Sequence, residues 1–233
     1  MIETTFQRAR TAAQQEQRRR TILDVAREML SVAAPADVSL RELSARVGLA
    51  KSNVVRYFPT REAVFLAVML EDWTAWLDDL DLRLGTDTSA SEGHATPPAR
   101  GRRTNADVAH AVVESLVDHP RFCSLLAATP TVLEHNVPVE TARSYKGGAL
   151  VRMTRLAGAI QATTTLDPTA SMHVAGTVWA LIAGSWPMVQ ASPAIVEALE
   201  DPDLAPLRVD FVRDLGRSLT ALLDGFAATR AER

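Results

Sequence analysis

Cysteine and aromatic residues are scarce in this sequence. Cys123 is the single cysteine among 233 residues, so the chain cannot form an internal disulfide, and no set of Cys and His residues has the spacing of a zinc site. Aromatic residues make up 5%, whereas Ala and Leu, which lose little side-chain freedom in a helix, are abundant. This composition favours helices, and a chain with one thiol suits a reducing cytoplasm, where we expect the protein to reside.

Long apolar runs and enzyme motifs are also absent. No segment approaches about 18 apolar residues without a charge, so we expect no membrane span. Residues 1–8 lack the apolar stretch of a signal peptide. The nucleophile elbow G-x-S-x-G, the zinc motif H-E-x-x-H, a phosphate-binding loop and the dinucleotide-binding glycine pattern are all missing. We therefore predict that the protein is not an enzyme and uses no metal or other cofactor.

Charge is distributed unevenly along the chain, although the net charge is only −3. Residues 1–62 contain 11 Lys and Arg against 7 Asp and Glu, whereas residues 63–233 contain 14 against 21. A basic first segment followed by an acidic second one is typical of a small nucleic-acid-binding domain joined to a domain with another role. We therefore predict two domains, over residues 1–62 and 63–233.

Helical periodicity covers most of the chain. Apolar residues recur at spacings of three and four from Arg18 to Ala34, and Pro35 ends that pattern. Residues 85–103 have no periodicity and are rich in Gly, Ser, Thr and Pro, which predicts a mobile loop. No segment alternates as a strand does, so the predicted fold class is all-α. Besides the first helix and the short ones described next, we predict helices over 60–84, 104–119, 121–135, 138–163, 167–190 and 207–228.

Two short helices separated by a tight turn are predicted between residues 39 and 58. Ser39 and Glu42 form a capping box, in which each side chain accepts a hydrogen bond from the backbone amide of the other residue. The first helix then runs to about Arg46, Gly48 permits a tight turn, and the second helix covers residues 50–58. This arrangement is a helix-turn-helix, and with the preceding helix it makes a three-helix DNA-binding domain.

The polar side chains of this segment are suited to DNA. Lys51, Ser52, Asn53 and Arg56 occupy the exposed face of the second helix, where their hydrogen-bonding groups would meet base edges. The other candidates would hold phosphates, and so would the consecutive arginines Arg18, Arg19 and Arg20. The predicted DNA-binding residues are Ser39, Arg41, Lys51, Ser52, Asn53, Arg56, Tyr57 and Arg61.

The segment from Ile22 to about Val68 resembles the TetR-type transcriptional repressors. The resemblance rests on residues 40–49, LRELSARVGL, and residues 57–63, YFPTREA. Ala50 and Val55 depart from the family pattern, which often has Ser and Tyr at these positions. The resemblance implies a homodimeric, ligand-responsive repressor that binds a palindromic double-stranded DNA operator and is released by a small-molecule inducer. It also implies a helical C-terminal domain for ligand binding and dimerisation.

Candidate residues for these two further roles lie in the second half of the chain and on the helix predicted over 60–84. Ordinary core packing is the alternative for every one of them. The candidate pocket residues are Trp73, Trp76, Phe122, Tyr145, Met153 and Trp179. The candidate interface residues are Trp179, Ile182, Ala183, Trp186, Leu215, Leu219, Leu222 and Phe226, on the last two long helices.

Two other interpretations remain open from the sequence. A transcriptional activator could have the same DNA-binding head. Alternatively, the protein could be a helical small-molecule carrier without specific DNA binding, which the departures at Ala50 and Val55 would favour.

Overall fold

The computed structural model describes the backbone of residues 2–86 and 103–231 and the side chains of residues 13–86 and 103–229. Within those ranges all regular structure is helical, which confirms the predicted all-α class. Most of the loop predicted over 85–103 lies outside the described residues. The α-helices are α1 (Ile2–Leu30), α2 (Leu40–Val47), α3 (Lys51–Val55), α4 (Arg61–Leu84), α5 (Asn105–Val117), α6 (Pro120–Ala128), α7 (Val139–Thr163), α8 (Pro168–Val189), α9 (Pro193–Ala198) and α10 (Phe211–Ala231).

Side-chain caps fix the starts of the helices in the second half of the chain. The Thr104 hydroxyl accepts from the Asp107 amide (3.1 Å), and the Asp107 carboxylate accepts from the Thr104 amide (2.8 Å). The Asp167 carboxylate accepts from the Ala170 amide (2.9 Å), and Pro168 occupies the first helical position. These bonds satisfy amides that no helical turn reaches, and they confirm the starts predicted for α5 and α8.

Several helices differ from their predicted bounds, and the last one begins at Phe211 rather than at residue 207. The helix predicted over 121–135 leaves the α-helical conformation after Ala128, because Pro130 has no amide hydrogen for the next α-helical bond. A π-helical turn follows over Thr129–Leu133, closed by the bond from the Glu134 amide to the Thr129 carbonyl (3.0 Å). The first helix, predicted from Arg18, begins at Ile2, since no Gly or Pro interrupts residues 1–34. The helix α9 and a 3-10 turn over Pro202–Leu207 were not predicted.

The chain divides into two compact units. The first comprises Met1–Glu71 and Ala128–Tyr145, and the second comprises Asp72–Ala127 and Lys146–Arg233. The helices α4 and α7 each contribute residues to both units. This division follows packing rather than role, so the functional boundary after Glu62 stays a prediction.

An apolar core holds the first unit together. Leu43 of α2, Val54 of α3 and Phe58 are at most 3% exposed, and Ile22 of α1 is fully buried. These residues occupy the faces that the helix-turn-helix pattern assigned to the interior. Their burial fixes α2 and α3 against α1, so the remaining face of α3 points to solvent.

The segment 128–145 completes this first core. The Thr129 hydroxyl donates to the Met69 sulfur (3.0 Å), and both residues are fully buried. Tyr145 is buried as well, and this burial, followed by the negative charge of Glu134, raises the pKa of its phenol. The first unit therefore depends on residues that are distant in the sequence.

In the second unit, α10 packs on α5 and α8. Ion pairs with arginines hold the C-terminal part of α4, which begins at Asp72 in this unit. Arg121 donates two bonds of 2.7 Å to Asp72, whose side chain is 9% exposed. Arg155 of α7 binds Asp81 through two nitrogens (2.9 and 2.6 Å). Cys123 is fully buried, and burial raises the pKa of its thiol to about 12, so this thiol has little reactive thiolate.

Candidate DNA-binding site

The start of α2 has the predicted capping box. The Ser39 hydroxyl accepts from the Glu42 amide (3.2 Å), and the Glu42 carboxylate accepts from the Ser39 amide (3.0 Å). These bonds from the Ser39 backbone and side chain lower the pKa of Glu42. The box fixes the direction in which α2 leaves the preceding loop, and confirms the helix start predicted at Ser39.

The turn between α2 and α3 depends on Gly48. Its backbone is left-handed, with φ of 73°, and its amide donates to the Ala45 carbonyl (3.1 Å). The Leu49 amide donates to the Ser44 carbonyl (3.0 Å), which closes the end of α2. The conformation predicted for Gly48 is confirmed, and it turns the chain sharply enough for α3 to cross α2.

The helix α3 is shorter than predicted and presents a polar face. It ends at Val55 rather than Phe58, and Ala50 gives it no side-chain cap. Lys51, Ser52, Asn53 and Arg56 are exposed, whereas Val54 on the opposite side is fully buried. None of those four exposed side chains forms a hydrogen bond or ion pair with the described residues. Their donors and acceptors are therefore available to a partner molecule.

The other predicted phosphate contacts have different surroundings. Arg41 is exposed on α2 and makes no side-chain bond to the described part of the chain. The guanidinium of Arg61, in contrast, donates to the carbonyls of Ala36 (3.2 Å) and Val38 (2.9 Å) and pairs with Glu62 (2.8 Å). Arg61 thus ties the loop before α2 to the start of α4, and most of its donors are used within the unit.

A groove of about 560 Å³ lies between α1 and α3 in the first unit. Tyr57, Asn53 and Arg56 line one side of it. Gln15 and Glu16 of α1 line the other side together with neighbouring arginines, and neither was predicted as a site residue. The uninterrupted helical sequence before Arg18 was the signal that could have placed them there.

Three of the candidate pocket residues form an aromatic cluster in the second unit. Trp76 stacks on Phe122 with ring centroids 5.3 Å apart, and Trp73 lies 5.8 Å from the same ring. Tyr145, in contrast, belongs to the first unit. Met153 and Trp179 of the second unit are half-buried. The structure thus brings three of the six candidates together, in the core of the second unit.

Two polar groups in the second unit are buried without a hydrogen-bond partner among the described residues: the Trp73 indole nitrogen and the Ser171 hydroxyl. Trp73 is 1% exposed and Ser171 is fully buried. The adjacent Trp76 differs, because its indole nitrogen donates to the Ser115 hydroxyl (2.8 Å). An unpaired buried donor is costly, and a ligand with an acceptor atom would satisfy it.

The candidate interface residues separate into buried and accessible groups. Ile182, Trp186, Leu215 and Leu219 are at most 8% exposed, and the Trp186 indole donates to Ser124 of the same subunit (2.9 Å). These four residues belong to the core of the unit, because they have little surface left for a second subunit. The candidates that keep accessible surface are Trp179, Ala183, Leu222 and Phe226.

The accessible face of α8 carries small side chains. Gly176 and Ala180 line a shallow groove of about 740 Å³ together with His173, whose ring lies 5.5 Å from that of Phe226 on α10. A Cβ atom added at Gly176 or Gly184 would meet no atom within 4 Å. The α8 surface is therefore open to close approach by another helix.

Comparison with known proteins agrees with this architecture. The profile of the bacterial regulatory proteins of the tetR family matches residues 22–68. The profile of the tetracyclin repressor-like C-terminal domain matches residues 70–230. The comparison with curated proteins finds no match. None of the described helices has the length and hydropathy needed to cross a membrane.

Solved structures share the fold at low sequence identity. A TetR transcriptional regulator from Rhodococcus sp. RHA1 is 20% identical, with a TM-score of 0.52 over 89% of this chain and 96% of that one. A regulator from Mesorhizobium loti is 17% identical, with a TM-score of 0.52 over 92% and 97%. FadR from Bacillus subtilis, solved in complex with stearoyl-CoA, is 15% identical, with a TM-score of 0.50 over 87% and 96%. Because family profiles match residues 22–68 and residues 70–230, the chain belongs to the TetR family of transcriptional regulators.

Proposed function

We propose that the protein is a ligand-responsive repressor that binds a palindromic DNA operator as a homodimer and is released by a small-molecule inducer. The observation that carries the proposal is the polar face of α3. Lys51, Ser52 and Asn53 of α3 and Arg56 immediately after it have no partner in the described chain. Buried apolar contacts hold this helix at the end of a capped helix-turn-helix. Such a helix fits the major groove of B-DNA.

The proposed contacts divide into base readers and phosphate contacts. Asn53 and Arg56 can each bond two atoms of a base edge, and Lys51 and Ser52 supply further hydrogen bonds. Arg41, Tyr57 and the accessible edge of Ser39 meet the phosphates and fix the register of α3 in the groove. We leave Arg61 out of this set, because its guanidinium is engaged by carbonyls and Glu62.

The proposed inducer site is in the second unit, around Trp73, Trp76 and Phe122. The unpaired indole N–H of Trp73 would orient a largely apolar ligand that carries a hydrogen-bond acceptor. The structure of FadR in complex with stearoyl-CoA supports a ligand-binding role for the C-terminal helical domain of this fold. A ligand shifts the protein between two states only by its difference in affinity for them. The helix α4 contributes to both units, so it is the proposed route of coupling.

The proposed dimer forms through the accessible faces of α8 and α10. Gly176, Ala180 and Ala183 allow a partner helix to approach, and Leu222 and Phe226 supply apolar surface. Two subunits related by a twofold axis would place their α3 helices in successive major grooves, about 34–36 Å apart. A palindromic operator is the expected partner for this symmetry.

Selection of binding sites from genomic DNA, followed by gel-shift titration at several salt concentrations, tests the proposal. We expect one palindromic sequence to be bound at least about 10³-fold more tightly than random DNA. The triple variant Lys51→Ala, Asn53→Ala, Arg56→Ala should lose that preference while keeping its helical circular dichroism. A protein that selects no sequence would contradict the proposal and favour the carrier alternative.

A reporter gene behind the selected operator distinguishes repression from activation. A repressor lowers expression when the protein is present, and an inducer restores it. Higher expression in the presence of the protein would identify an activator with the same DNA-binding head. The variant that lacks the three α3 side chains is the control, since it should leave the reporter at its basal level.

A further inference from the structure

The helix α1 begins well before the segment that is matched to the family. The matched domain starts at Ile22, whereas α1 starts at Ile2, so about five helical turns precede the match. Residues 2–21 contain five Arg and two Glu. This chain therefore has a basic helical extension immediately before the helix-turn-helix.

The groove between α1 and α3 joins this extension to the proposed base readers. All of its lining residues belong to one compact unit, so their relative positions are set by the same core. Asn53 and Arg56 stand on one side, and Arg18 and Arg19 stand on the other. A DNA strand contacted by α3 would therefore pass close to the arginines of α1.

The three consecutive arginines of the extension differ in their surroundings. Arg18 is exposed and has no hydrogen bond or ion pair within the described chain. The Arg19 guanidinium lies over the Phe58 ring, 4.3 Å from its centroid, and this contact restrains it at the groove. Arg20 is paired with Glu16 through a Nε to Oε1 distance of 3.1 Å. Two of the three arginines thus face the groove without a carboxylate partner among the residues whose side chains are described.

Resting on the proposed DNA binding, we propose that Arg18 and Arg19 bind phosphates of the duplex beside the bases that α3 reads. Each subunit would then cover more of the operator than its helix-turn-helix alone. Arginine suits this role, because its planar guanidinium bonds two phosphate oxygens at once. Phosphates are the same in every sequence, so these contacts add affinity without changing base preference.

Salt titration of operator binding tests the proposed phosphate contacts. The double variant Arg18→Gln, Arg19→Gln removes two contacts from each subunit, so the slope of log K against log salt should fall by about 3 to 4 for a dimer. Its affinity should fall by one common factor for the operator and for single-base variants of it. Phosphates whose ethylation weakens the wild-type complex should lose that effect in the double variant. Arg20→Gln should keep the wild-type slope.

Each of the other results contradicts the proposed phosphate contacts of Arg18 and Arg19. An unchanged slope in a protein that still selects its operator overturns the phosphate contacts and leaves the proposed function standing. An equal fall in slope for Arg20→Gln overturns the assignment to Arg18 and Arg19. A wild type that selects no operator overturns both proposals. Arg18→Gln alone, which removes no bond to the described residues, should fold as the wild type and lower the slope by about half as much.

Discussion

Asn53 is the side chain of α3 with the most selective chemistry, because its amide can donate to and accept from one adenine edge at the same time. We expect Asn53→Ala to relax base preference at one operator position, at a cost of about 1–3 kcal/mol there. Competition among single-base operator variants measures this effect. Arg41→Ala provides the contrast, since loss of a phosphate contact should weaken every sequence equally. A uniform loss for Asn53→Ala would show that Asn53 is not a base reader.

Trp73 and Trp76 form a matched pair in the core of the second unit. Both are 1% exposed and both lie against Phe122, but only the Trp76 indole has a hydrogen-bond partner in the described chain, Ser115. Trp→Phe removes similar volume at each site, so the difference between the variants reports the hydrogen bond. We expect Trp76→Phe to lower the free energy of unfolding by about 1 kcal/mol more than Trp73→Phe, measured by urea denaturation of the ligand-free protein.

In ligand binding, we expect Trp73→Phe to be the more damaging of the two variants. Trp73→Phe should weaken ligand binding in a thermal-shift titration, because it removes the N–H that the ligand acceptor needs, whereas Trp76→Phe should retain it. Equal ligand affinity in the two variants would contradict the proposed role of Trp73.

At the scale of single residues, the sequence predicted hydrogen bonds between residues close in the chain, but not those between residues far apart. Ser39, Thr104 and Asp167 cap their helices as predicted, because a cap and its partner are three residues apart. The bonds from Arg61 to the carbonyls of Val38 and Ala36, 23 and 25 residues away, were not predicted, because residue spacing gives no information at that distance. The phosphate contact of Arg61 stays a prediction.

At the scale of elements, the α2–α3 turn requires a left-handed residue. Gly48 has φ of 73°, and a Cβ there would meet no atom within 4 Å, so Gly48→Ala changes backbone strain alone. We expect it to destabilise the protein by roughly 1–2 kcal/mol. Gly147→Ala is the matched control, since its Cβ also meets nothing but it lies within α7. It should stabilise by up to about 1 kcal/mol. Thermal unfolding of both variants checks the opposite signs.

The helices whose ends were predicted well are those with strong boundary residues. A capping threonine, a proline at the first helical position or a glycine at the turn marks the chain locally, and the structure follows these signals. The start of α1 had no such mark, and apolar spacing alone placed it at Arg18. The π-helical turn at Thr129 was missed because a proline predicts a break but not the geometry that replaces it.

At the scale of the whole molecule, the accessible face of α8 determines the proposed dimer. Ala180 is exposed at the centre of a small-residue stripe, so Ala180→Arg should place a bulky charge between the subunits. We expect light scattering to report a monomer at concentrations where the wild type is a dimer. Operator affinity should fall, because the two half-sites are no longer bound together. Gly158→Arg, on the exposed side of α7, is the control and should stay dimeric.

The sequence indicated the class of this molecule better than its internal division. The charge difference between residues 1–62 and the rest suggested two parts, and packing also yields two. Ile182, Trp186, Leu215 and Leu219 show why an interface was harder to predict. An apolar stripe on a helix looks the same whether it faces its own core or a second subunit.

Because residues 128–145 belong to the first unit, this unit cannot finish folding early in translation. The ribosome releases residues 1–71 long before Thr129, the partner that covers Met69, has been translated. At 5–20 residues per second, the stretch from Glu71 to Tyr145 takes roughly 4 to 15 s to synthesise. During that interval the nascent helix-turn-helix lacks part of its core. The first unit is therefore completed only after Asp72–Ala127 of the second unit has been made.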